Sequence, residues 1–318
     1  MVPMTRVLLS KPSLDLLGAR LEALPITPVL LDGWIEGVEV AWASSDVFRD
    51  PKATRKLLGA SKASADLKWL HTSAAGVDSP IFAELAGRGV VLTTSHVTGP
   101  TIAEYTMRAV LDWFQQPGEW EEAASEREWR PHEFREVLGT TWLIVGLGSI
   151  GAEVAVRAKA FGAHVIGTRR SPRGDEPVDE MVTPDRTAEV LPRADVIVLA
   201  APATPATTGL VDADFLARTK PGAVLVNVAR GPLVDEAALL AALDAGRLDA
   251  ALLDVTNDEP PPAESPLWDH PRIVLTPHSS GLGSGRHGRS GEIFLENLTK
   301  YLAGEPMRNV VTDTDLIG

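Results

Sequence analysis

The stretch LIVGLGSIGAEVAVRAKAF, from Leu143 to Phe161, decides the fold of this chain. An apolar run typical of a buried strand leads into Gly-x-Gly-x-x-Gly, and a helical pattern follows. The first glycine permits a tight turn, the second lets the backbone approach a pyrophosphate, and the third lets strand and helix pack closely. Free N–H groups at the start of such a helix bind phosphate oxygens, so the pattern predicts a nicotinamide or flavin dinucleotide site. The turn residues expected to contact it are Gly146, Gly148, Ser149, Ile150 and Gly151.

The end of the next predicted strand, His164–Gly167, indicates which dinucleotide binds. A site for NAD usually places Asp or Glu here, to accept a hydrogen bond from the ribose 2′-hydroxyl. This chain has Thr168, Arg169, Arg170 and Ser171. An arginine cannot accept that bond, but its guanidinium matches a 2′-phosphate with two parallel hydrogen bonds. We expect Arg169 and Arg170 to contact NADP(H), with NAD(H) still possible; a solvated loop with two arginines is the alternative.

The composition excludes several classes of protein. The chain has 318 residues, which suggests two domains, and it has no cysteine, which fits a reducing compartment and rules out thiol catalysis. Its net charge of -13 makes nucleic acid and anionic membranes poor partners. Apolar runs such as Val196–Ala203 fall well short of the roughly 20 residues of a membrane span, and Met1–Ser10 shows no signal peptide. We expect a cytoplasmic protein.

Alternating strand and helix patterns predict an α/β fold with a doubly wound parallel sheet, a Rossmann domain over residues 98–283. Its predicted strands are 143–145, 165–167, 196–200, 224–228, 251–255 and 273–276. Residues 1–97 with 284–318 predict a smaller, flavodoxin-like α/β substrate domain, with strands near 7–9, 38–42, 67–72 and 90–93. Helices over 101–114 and 288–302 would join the two, so that the chain crosses twice and places a cleft at the junction.

Two stretches are harder to assign. Gln115–Arg135 is rich in Glu and Trp and is broken by prolines, which indicates either a surface excursion or a subunit contact. Local packing and an interface both remain open for Trp113, Trp120 and Trp129. Ser279–Gly291 is rich in Gly and Ser, which predicts a flexible loop after the last strand.

Three polar residues follow the ends of successive predicted strands, where ligands bind in open α/β sheets. Arg230 follows the fourth strand, Glu259 lies in the loop beyond the fifth, and His278 follows the sixth. Pro260 and Pro277 restrict the backbone beside the last two. Singly, each residue has an ordinary structural explanation, but their coincidence at one sheet edge with a dinucleotide turn favours a common function.

These three residues suit the reduction of a 2-oxoacid. Hydride transfer to a carbonyl needs a proton donor for the developing alkoxide, and the imidazolium of His278 can supply it. A carboxylate beside it, such as Glu259, would fix the tautomer and favour the protonated ring. Arg230 could hold a substrate carboxylate and polarise the adjacent carbonyl.

The sequence resembles the D-isomer-specific 2-hydroxyacid dehydrogenase family over essentially its whole length, in particular its glyoxylate and hydroxypyruvate reductase-like members. The matching segments are GLGSIG at 146–151, NVARG at 227–231, LDV at 253–255 with Glu259-Pro260, and LTPH at 275–278. The resemblance implies a two-domain enzyme with an interdomain cleft, usually a homodimer. It also implies that Arg230 binds substrate, that His278 is the acid/base and that Glu259 orients His278.

The resemblance further implies that Asp254 contacts the nicotinamide carboxamide and that the backbone of Ala75, Gly76 and Val77 binds the substrate carboxylate. Other expected cofactor contacts are Ala201, Pro202, Val228, Ala229, His278 and Gly281. No metal ligand is expected, because the other histidines show no ligand spacing. We therefore expect an oxidoreductase that transfers a hydride between NADP(H) and a small 2-oxoacid or D-2-hydroxyacid.

Departures from the family pattern concern the substrate rather than the reaction. Arg169 replaces the acidic residue of NAD-dependent members, Thr256-Asn257 replaces the commoner Phe-x, and Ser279–Gly281 with its following glycines replaces a more helical segment. Two alternatives stay open. A formate dehydrogenase-like enzyme is disfavoured because that branch has glutamine where Glu259 stands, and a non-catalytic dinucleotide-sensing regulator on the same fold is compatible with an intact Arg-Glu-His set.

Overall fold

The structure, a computed structural model, describes residues 4–33, 35–74, 76–77, 79–312 and 316. The chain divides into two units, and each has a parallel sheet flanked by helices. The first unit comprises Met1–Thr98 with Gly283–Gly318, and the second comprises Gly99–Leu282. The expected combination of a Rossmann fold with a smaller flavodoxin-like fold is confirmed by the order of the strands in the two sheets.

In the described part of the first unit, five parallel strands have the order β2-β1-β3-β4-β5. They are β1 (Thr5–Leu9), β2 (Ile26–Leu30), β3 (Val40–Ala43), β4 (Trp69–Thr72) and β5 (Val91–Thr94). The helices are α1 (Lys11–Leu17), α2 (Ala19–Glu22), α3 (Pro51–Ala63) and α4 (Pro80–Gly87), with a 3-10 turn at Val47–Arg49. Strand β2, which carries Pro28, was not predicted from the sequence. A proline fits there because β2 is an edge strand, where a missing N–H breaks no ladder.

The second unit has seven described strands, all paired in parallel, in the order β12-β11-β10-β9-β6-β7-β8. They are β6 (Thr141–Val145), β7 (His164–Thr168), β8 (Glu180–Val182), β9 (Val196–Leu199), β10 (Ala223–Asn227), β11 (Leu248–Leu253) and β12 (Ile273–Leu275). Strand β8, with only three residues, was missed. The order reverses between β6 and β9, so the switch point where dinucleotides bind lies at the end of β6.

The helices of the second unit cover both faces of its sheet. They are α5 (Gly99–Gln115), α6 (Pro117–Ser125), α7 (Ser149–Ala160), α8 (Thr187–Val190), α9 (Ala213–Arg218) and α10 (Glu236–Asp244), with 3-10 turns at Pro184–Arg186, Leu191–Arg193 and Gly231–Leu233. Alternate residues of β6 enter different cores: Leu143 and Val145 pack on one side, Trp142 and Ile144 on the other. A strand buried on both faces explains the unbroken apolar run that precedes the glycine turn.

The helix expected over 288–302 is present as α11 (Arg286–Ala303) in the first unit, and its first six residues correct the loop expected over 279–291. The two glycines inside it, Gly288 and Gly291, did not prevent a helix. A side chain at Gly291 would place its Cβ 2.8 Å from Leu16 Cδ2, so this glycine permits close packing on the neighbouring helix. Tertiary packing therefore outweighs the low helix propensity of glycine.

A buried histidine lies in the core of the first unit. His71 Nδ1 is 2.7 Å from Thr93 Oγ1, and its Nε2 is 2.9 Å from Ser95 Oγ, which in turn is 2.7 Å from Ser290 Oγ. Burial lowers the pKa of His71 to about 3, and His96 adds a smaller effect in the same direction. The imidazole is therefore neutral and structural at physiological pH.

This burial predicts a pH-dependent stability. Between the ordinary imidazole pKa of about 6.5 and the folded pKa of about 3, the unfolded chain binds the proton and the folded chain does not. The contribution to the free energy of unfolding therefore falls as the pH falls through that window, by about 2 kcal/mol at pH 5. In urea denaturation, His71→Gln should lose this component, while His164→Gln, a change at an exposed histidine, should keep it. Equal pH slopes for wild type and His71→Gln would contradict the prediction.

Candidate active site

Two of the three fingerprint glycines are required by the packing of the protein itself. Gly146 has φ +97, and a Cβ on it would lie 2.6 Å from the backbone N and Cα of Ala201. A Cβ on Gly151 would lie 2.3 Å from the carbonyl oxygen of Gly146. The turn thus brings the end of β6 against the chain leaving β9, and it lets α7 start directly over the turn.

Gly148 has a different role. It is the N-cap of α7 at φ -88, and no side chain caps this helix. A Cβ here would meet nothing within 4 Å, so the protein's own packing does not require glycine. Open space beside the N-terminus of a helix is what a pyrophosphate needs, because the first amide groups point into it. The residues of this turn therefore fit a dinucleotide.

The ribose end of the turn is built around Thr168 and Arg169. Thr168 accepts hydrogen bonds from Gly146 N at its Oγ1 (3.1 Å) and from Leu147 N at its carbonyl oxygen (2.8 Å). Arg169 Nη1 donates to the carbonyl oxygen of Leu147 at 3.0 Å, which holds its guanidinium beside the turn. Arg170 is exposed. Both arginines thus follow β7 at the position where the 2′-substituent of an adenosine ribose is recognised.

An acidic residue, Glu176, lies beside Arg169, and this contact was not predicted from the sequence. Glu176 Oε1 is 3.9 Å from Arg169 Nε. Its carboxylate accepts hydrogen bonds from the backbone N of Arg173 (2.7 Å) and Gly174 (2.8 Å), and the bond from Arg173 is the main reason why the pKa of Glu176 is lowered. The sequence signal is a pair of acidic residues, Asp175 and Glu176, just after Gly174, typical of a turn closed by a side chain.

The structure brings together His278 and Glu259, the two residues that the sequence predicts to act as an acid/base pair. His278 Nδ1 is 2.7 Å from Glu259 Oε2, and both side chains are partly accessible to solvent, 51% and 39%. The backbone N of Thr256 donates to Glu259 Oε1 at 3.4 Å. A carboxylate at Nδ1 holds the ring orientation and places the second nitrogen, Nε2, where it can carry an exchangeable proton.

Asp254 fixes the backbone that carries this histidine. It is 1% exposed, and its carboxylate accepts from Thr276 Oγ1 (2.6 Å), Ser279 N (2.9 Å) and Ser280 N (2.9 Å). Its carbonyl oxygen accepts from His278 N at 2.9 Å. His278 adopts φ 47, a left-handed conformation that costs a non-glycine residue about 1 kcal/mol or more. These bonds hold the strained residue in place.

Arg230 is brought to the same edge of the sheet. Its Nη1 donates to the carbonyl oxygen of Ala229 at 2.8 Å, and its own carbonyl oxygen accepts from Asn227 Nδ2 at 2.9 Å. A Cβ on Gly231 would lie 2.0 Å from the carbonyl oxygen of Thr256, so the turn after β10 packs directly on the loop that leads to Glu259. Strands β10, β11 and β12 are neighbours, and their ends share one edge.

The remaining candidates fall into two groups. In the second unit, Pro202 follows Ala201 at the switch point and accepts from Thr207 Oγ1, Val228 and Ala229 are buried at the end of β10, and Gly281 follows the amides held by Asp254. Gly76 and Val77 belong to the first unit, where the Val77 side chain packs in the core. Ala75 lies outside the described residues.

Neither a metal-binding cluster nor a membrane-spanning helix occurs among the described residues. In 4–33, 35–74, 76–77, 79–312 and 316, no three His, Cys, Asp or Glu side chains are grouped so as to hold a metal ion. No helix within these ranges has the length and apolar character needed to cross a bilayer.

Such a turn at the switch point of a doubly wound sheet is typical of proteins that bind a dinucleotide, and a histidine–carboxylate pair farther along the same edge suits the acid/base step of an NAD(P)-dependent dehydrogenase. The family model of the D-isomer specific 2-hydroxyacid dehydrogenase NAD binding domain matches residues 107–280. The chain belongs to this family, which confirms the resemblance and the prediction of an NAD(P)-dependent enzyme.

Named relatives of this chain act on different acids. Glyoxylate/hydroxypyruvate reductase A of Salmonella heidelberg is 34% identical over 215 residues, 67% of this chain and 68% of that protein. D-3-phosphoglycerate dehydrogenase of Mycobacterium leprae is 33% identical over 290 residues, 86% of this chain, but the match spans only 53% of that longer protein. The solved NADPH-dependent glyoxylate/hydroxypyruvate reductase of Sinorhizobium meliloti, in complex with NADP and sulfate, is 26% identical with a TM-score of 0.77, covering 98% of this chain and 99% of that one.

Proposed function

We propose that this chain is an NADP(H)-preferring reductase of a short 2-oxoacid, of the glyoxylate or hydroxypyruvate type, and interconverts it with the D-2-hydroxyacid. The observation that carries the proposal is the 2.7 Å bond between His278 Nδ1 and Glu259 Oε2 at the sheet edge that also bears Arg230. The likeness to two reductases of this type supports the choice of substrate. The absence of cysteine supports a cytoplasmic location.

The side chains of the second unit would divide the work as follows. When bound at the glycine turn, the dinucleotide supplies the hydride. His278 holds a proton at Nε2 and gives it to the substrate oxygen, while Glu259 at Nδ1 stabilises the protonated ring. Arg230 binds the substrate carboxylate, and its positive charge favours the negative charge that develops on the neighbouring oxygen.

Removing the acid should abolish most of the activity. We expect His278→Ala to lower kcat for glyoxylate reduction about 100-fold or more, because a lost general acid typically costs that much. Glu259→Gln keeps the shape but not the charge, and we expect a smaller loss. His270→Ala is the matched control, since His270 contacts Asp244 instead of the site. Near-wild-type turnover in His278→Ala would refute the assignment, and tight NADPH binding without turnover of any 2-oxoacid would favour a sensor.

The preference for NADP(H) should depend on Arg169. A hydrogen bond to a charged group is worth about 1.5–3 kcal/mol, so Arg169→Ala should raise KM for NADPH roughly 10- to 100-fold. KM for NADH should change little, because NADH has no 2′-phosphate. Arg173→Ala removes the same charge from an exposed position of the same loop and controls for general electrostatics. An equal effect of Arg169→Ala on both cofactors would overturn the preference.

We also propose that the chain forms a homodimer through the exposed segment that carries Trp129, Phe134 and Leu138. Their exposed fractions are 98%, 46% and 68%. Trp113, by contrast, donates to Asp249, and Trp120 stacks on His132, so these two tryptophans pack locally. Exposed apolar residues close together in the chain are typical of a surface that is covered by a partner.

Light scattering on a sizing column tests the dimer. Wild type should have the mass of two chains, and the double variant Trp129→Ser, Leu138→Ser should have the mass of one, because it loses the apolar area that association would bury. Trp268→Ser is the control: Trp268 is 49% exposed but lies elsewhere in the second unit. A monomeric wild type, or a dimeric double variant, would contradict the proposal.

A further inference from the structure

A tyrosine far from His278 in sequence is hydrogen-bonded to the segment that carries it. Tyr105 lies on α5, and its hydroxyl is 2.7 Å from Thr276 Oγ1. Thr276 Oγ1 is also 2.6 Å from Asp254 Oδ1. Neither residue is used in the chemistry proposed above: Thr276 lies in the LTPH segment without a role assigned to it, and Tyr105 lies in none of the matching segments.

Which oxygen donates in each of these two hydrogen bonds follows from the number of protons that Tyr105, Thr276 and Asp254 carry. Both oxygens of Asp254 accept from backbone N–H groups, so the carboxylate can only accept. Thr276 has one hydroxyl proton, which therefore points to Asp254. The bond between Tyr105 and Thr276 must then use the tyrosine proton. The chain of donation runs from Tyr105 to Thr276 to Asp254.

The acceptor at the end of this chain holds three successive amides. Asp254 accepts from the N–H of Ser279 and Ser280 at its carboxylate and from the N–H of His278 at its carbonyl oxygen. Two of the carboxylate's donors, Thr276 and Ser279, share Oδ1. A rotation of the carboxylate would therefore move the Thr276 hydroxyl, which precedes the strained His278, together with the Ser279 and Ser280 amides, which follow it.

Tyr105 is suited to a fixed role as a donor. Burial raises the pKa of its hydroxyl, and the negative charge of Asp254 raises it further, so the proton stays on the tyrosine over the working pH range. The helix that carries Tyr105, α5, also packs on the start of α7, beside the glycine turn. At the start of α5, a Cβ on Gly99 would lie 2.9 Å from the carbonyl oxygen of Ser149, the first residue of α7.

We propose that Tyr105 is a positioning residue: through Thr276 it orients the Asp254 carboxylate, which sets the 278–280 backbone and so the direction of the His278 imidazole. The inference rests on the proposed function for its kinetic consequence. The structural consequence is independent of the proposed function, because hydrogen exchange of the 278–280 amides can be measured without turnover.

The kinetic test uses Tyr105→Phe, which keeps the ring and removes the hydroxyl. We expect kcat for glyoxylate to fall about fivefold, the typical effect of one lost hydrogen bond, while KM for glyoxylate and the affinity for NADPH change less than about twofold. Thr276→Val should lower kcat at least as much, and Thr276→Ser should restore it. Tyr301→Phe is the matched control, since Tyr301 is the second of the two tyrosines and lies in the first unit.

Two further measurements decide the mechanism. Adding Tyr105→Phe to Thr276→Val should cause no additional loss, because the two residues act in one chain. Hydrogen exchange of the peptide that contains Ser279 and Ser280 should be faster in Tyr105→Phe and unchanged in Tyr301→Phe. Three results would each overturn the positioning role. They are a double variant whose loss of kcat is the product of the two single losses, an unchanged kcat in Tyr105→Phe, and unchanged hydrogen exchange in Tyr105→Phe. If wild type reduces no 2-oxoacid, the proposed function fails. The hydrogen-exchange experiment alone then tests the hydrogen bonds that run from Tyr105 through Thr276 to Asp254.

Discussion

The buried carboxylate of Asp254 is the interaction on which the geometry of the candidate site depends. A carboxylate that is 1% exposed is costly unless it is well bonded, and here it accepts a hydroxyl and two backbone amides. Those donors all come from the segment after β12, whereas Asp254 itself follows β11. The bonds therefore join two neighbouring strand ends and leave the adjacent His278 free to meet Glu259. Replacing the carboxylate would leave several donors without an acceptor at once, so this contact fixes a whole loop.

Sheet topology explains why groups so far apart in sequence come together. Parallel strands deliver their carboxyl ends to one edge, and the order of the second sheet puts β10, β11 and β12 side by side at one end and the β6–β9 switch point farther along. Strands β10, β11 and β12 are followed by Arg230, Glu259 and His278, whereas the glycine turn lies at the β6–β9 switch point. The local contact of Gly231 with Thr256 then tightens the arrangement, because it leaves no gap between the turn after β10 and the loop after β11.

The sequence predicted those features whose signal is local. The glycine turn, the buried strands around it and the three polar residues after strand ends each depend on a few consecutive residues. What it missed depends on contacts between distant segments or on very short elements. Strand β2 contains Pro28 and is recognisable only once its edge position is known, and β8 has three residues. Helix α11 was predicted over 288–302, but its start was assigned in part to a loop, because residues 286–291 contain glycines whose place in a helix is clear only once the packing of Gly291 on Leu16 is seen. The partnership of Tyr105 with Thr276 links positions 171 residues apart, and no pattern in either segment indicates it.

The fingerprint itself combines two kinds of constraint that a sequence pattern cannot separate. Gly146 and Gly151 are surrounded by backbone atoms at distances that no Cβ tolerates, so their absence of a side chain is a condition of folding. Gly148 is surrounded by space, and its backbone angle suits any residue. Natural proteins do not need glycine at an open helix N-cap, where serine, threonine or asparagine would bond the first amides better. A glycine that leaves these amides unbonded is explained by a ligand that takes them, and for this reason the middle glycine, more than the two that the fold requires, marks the turn as a binding site.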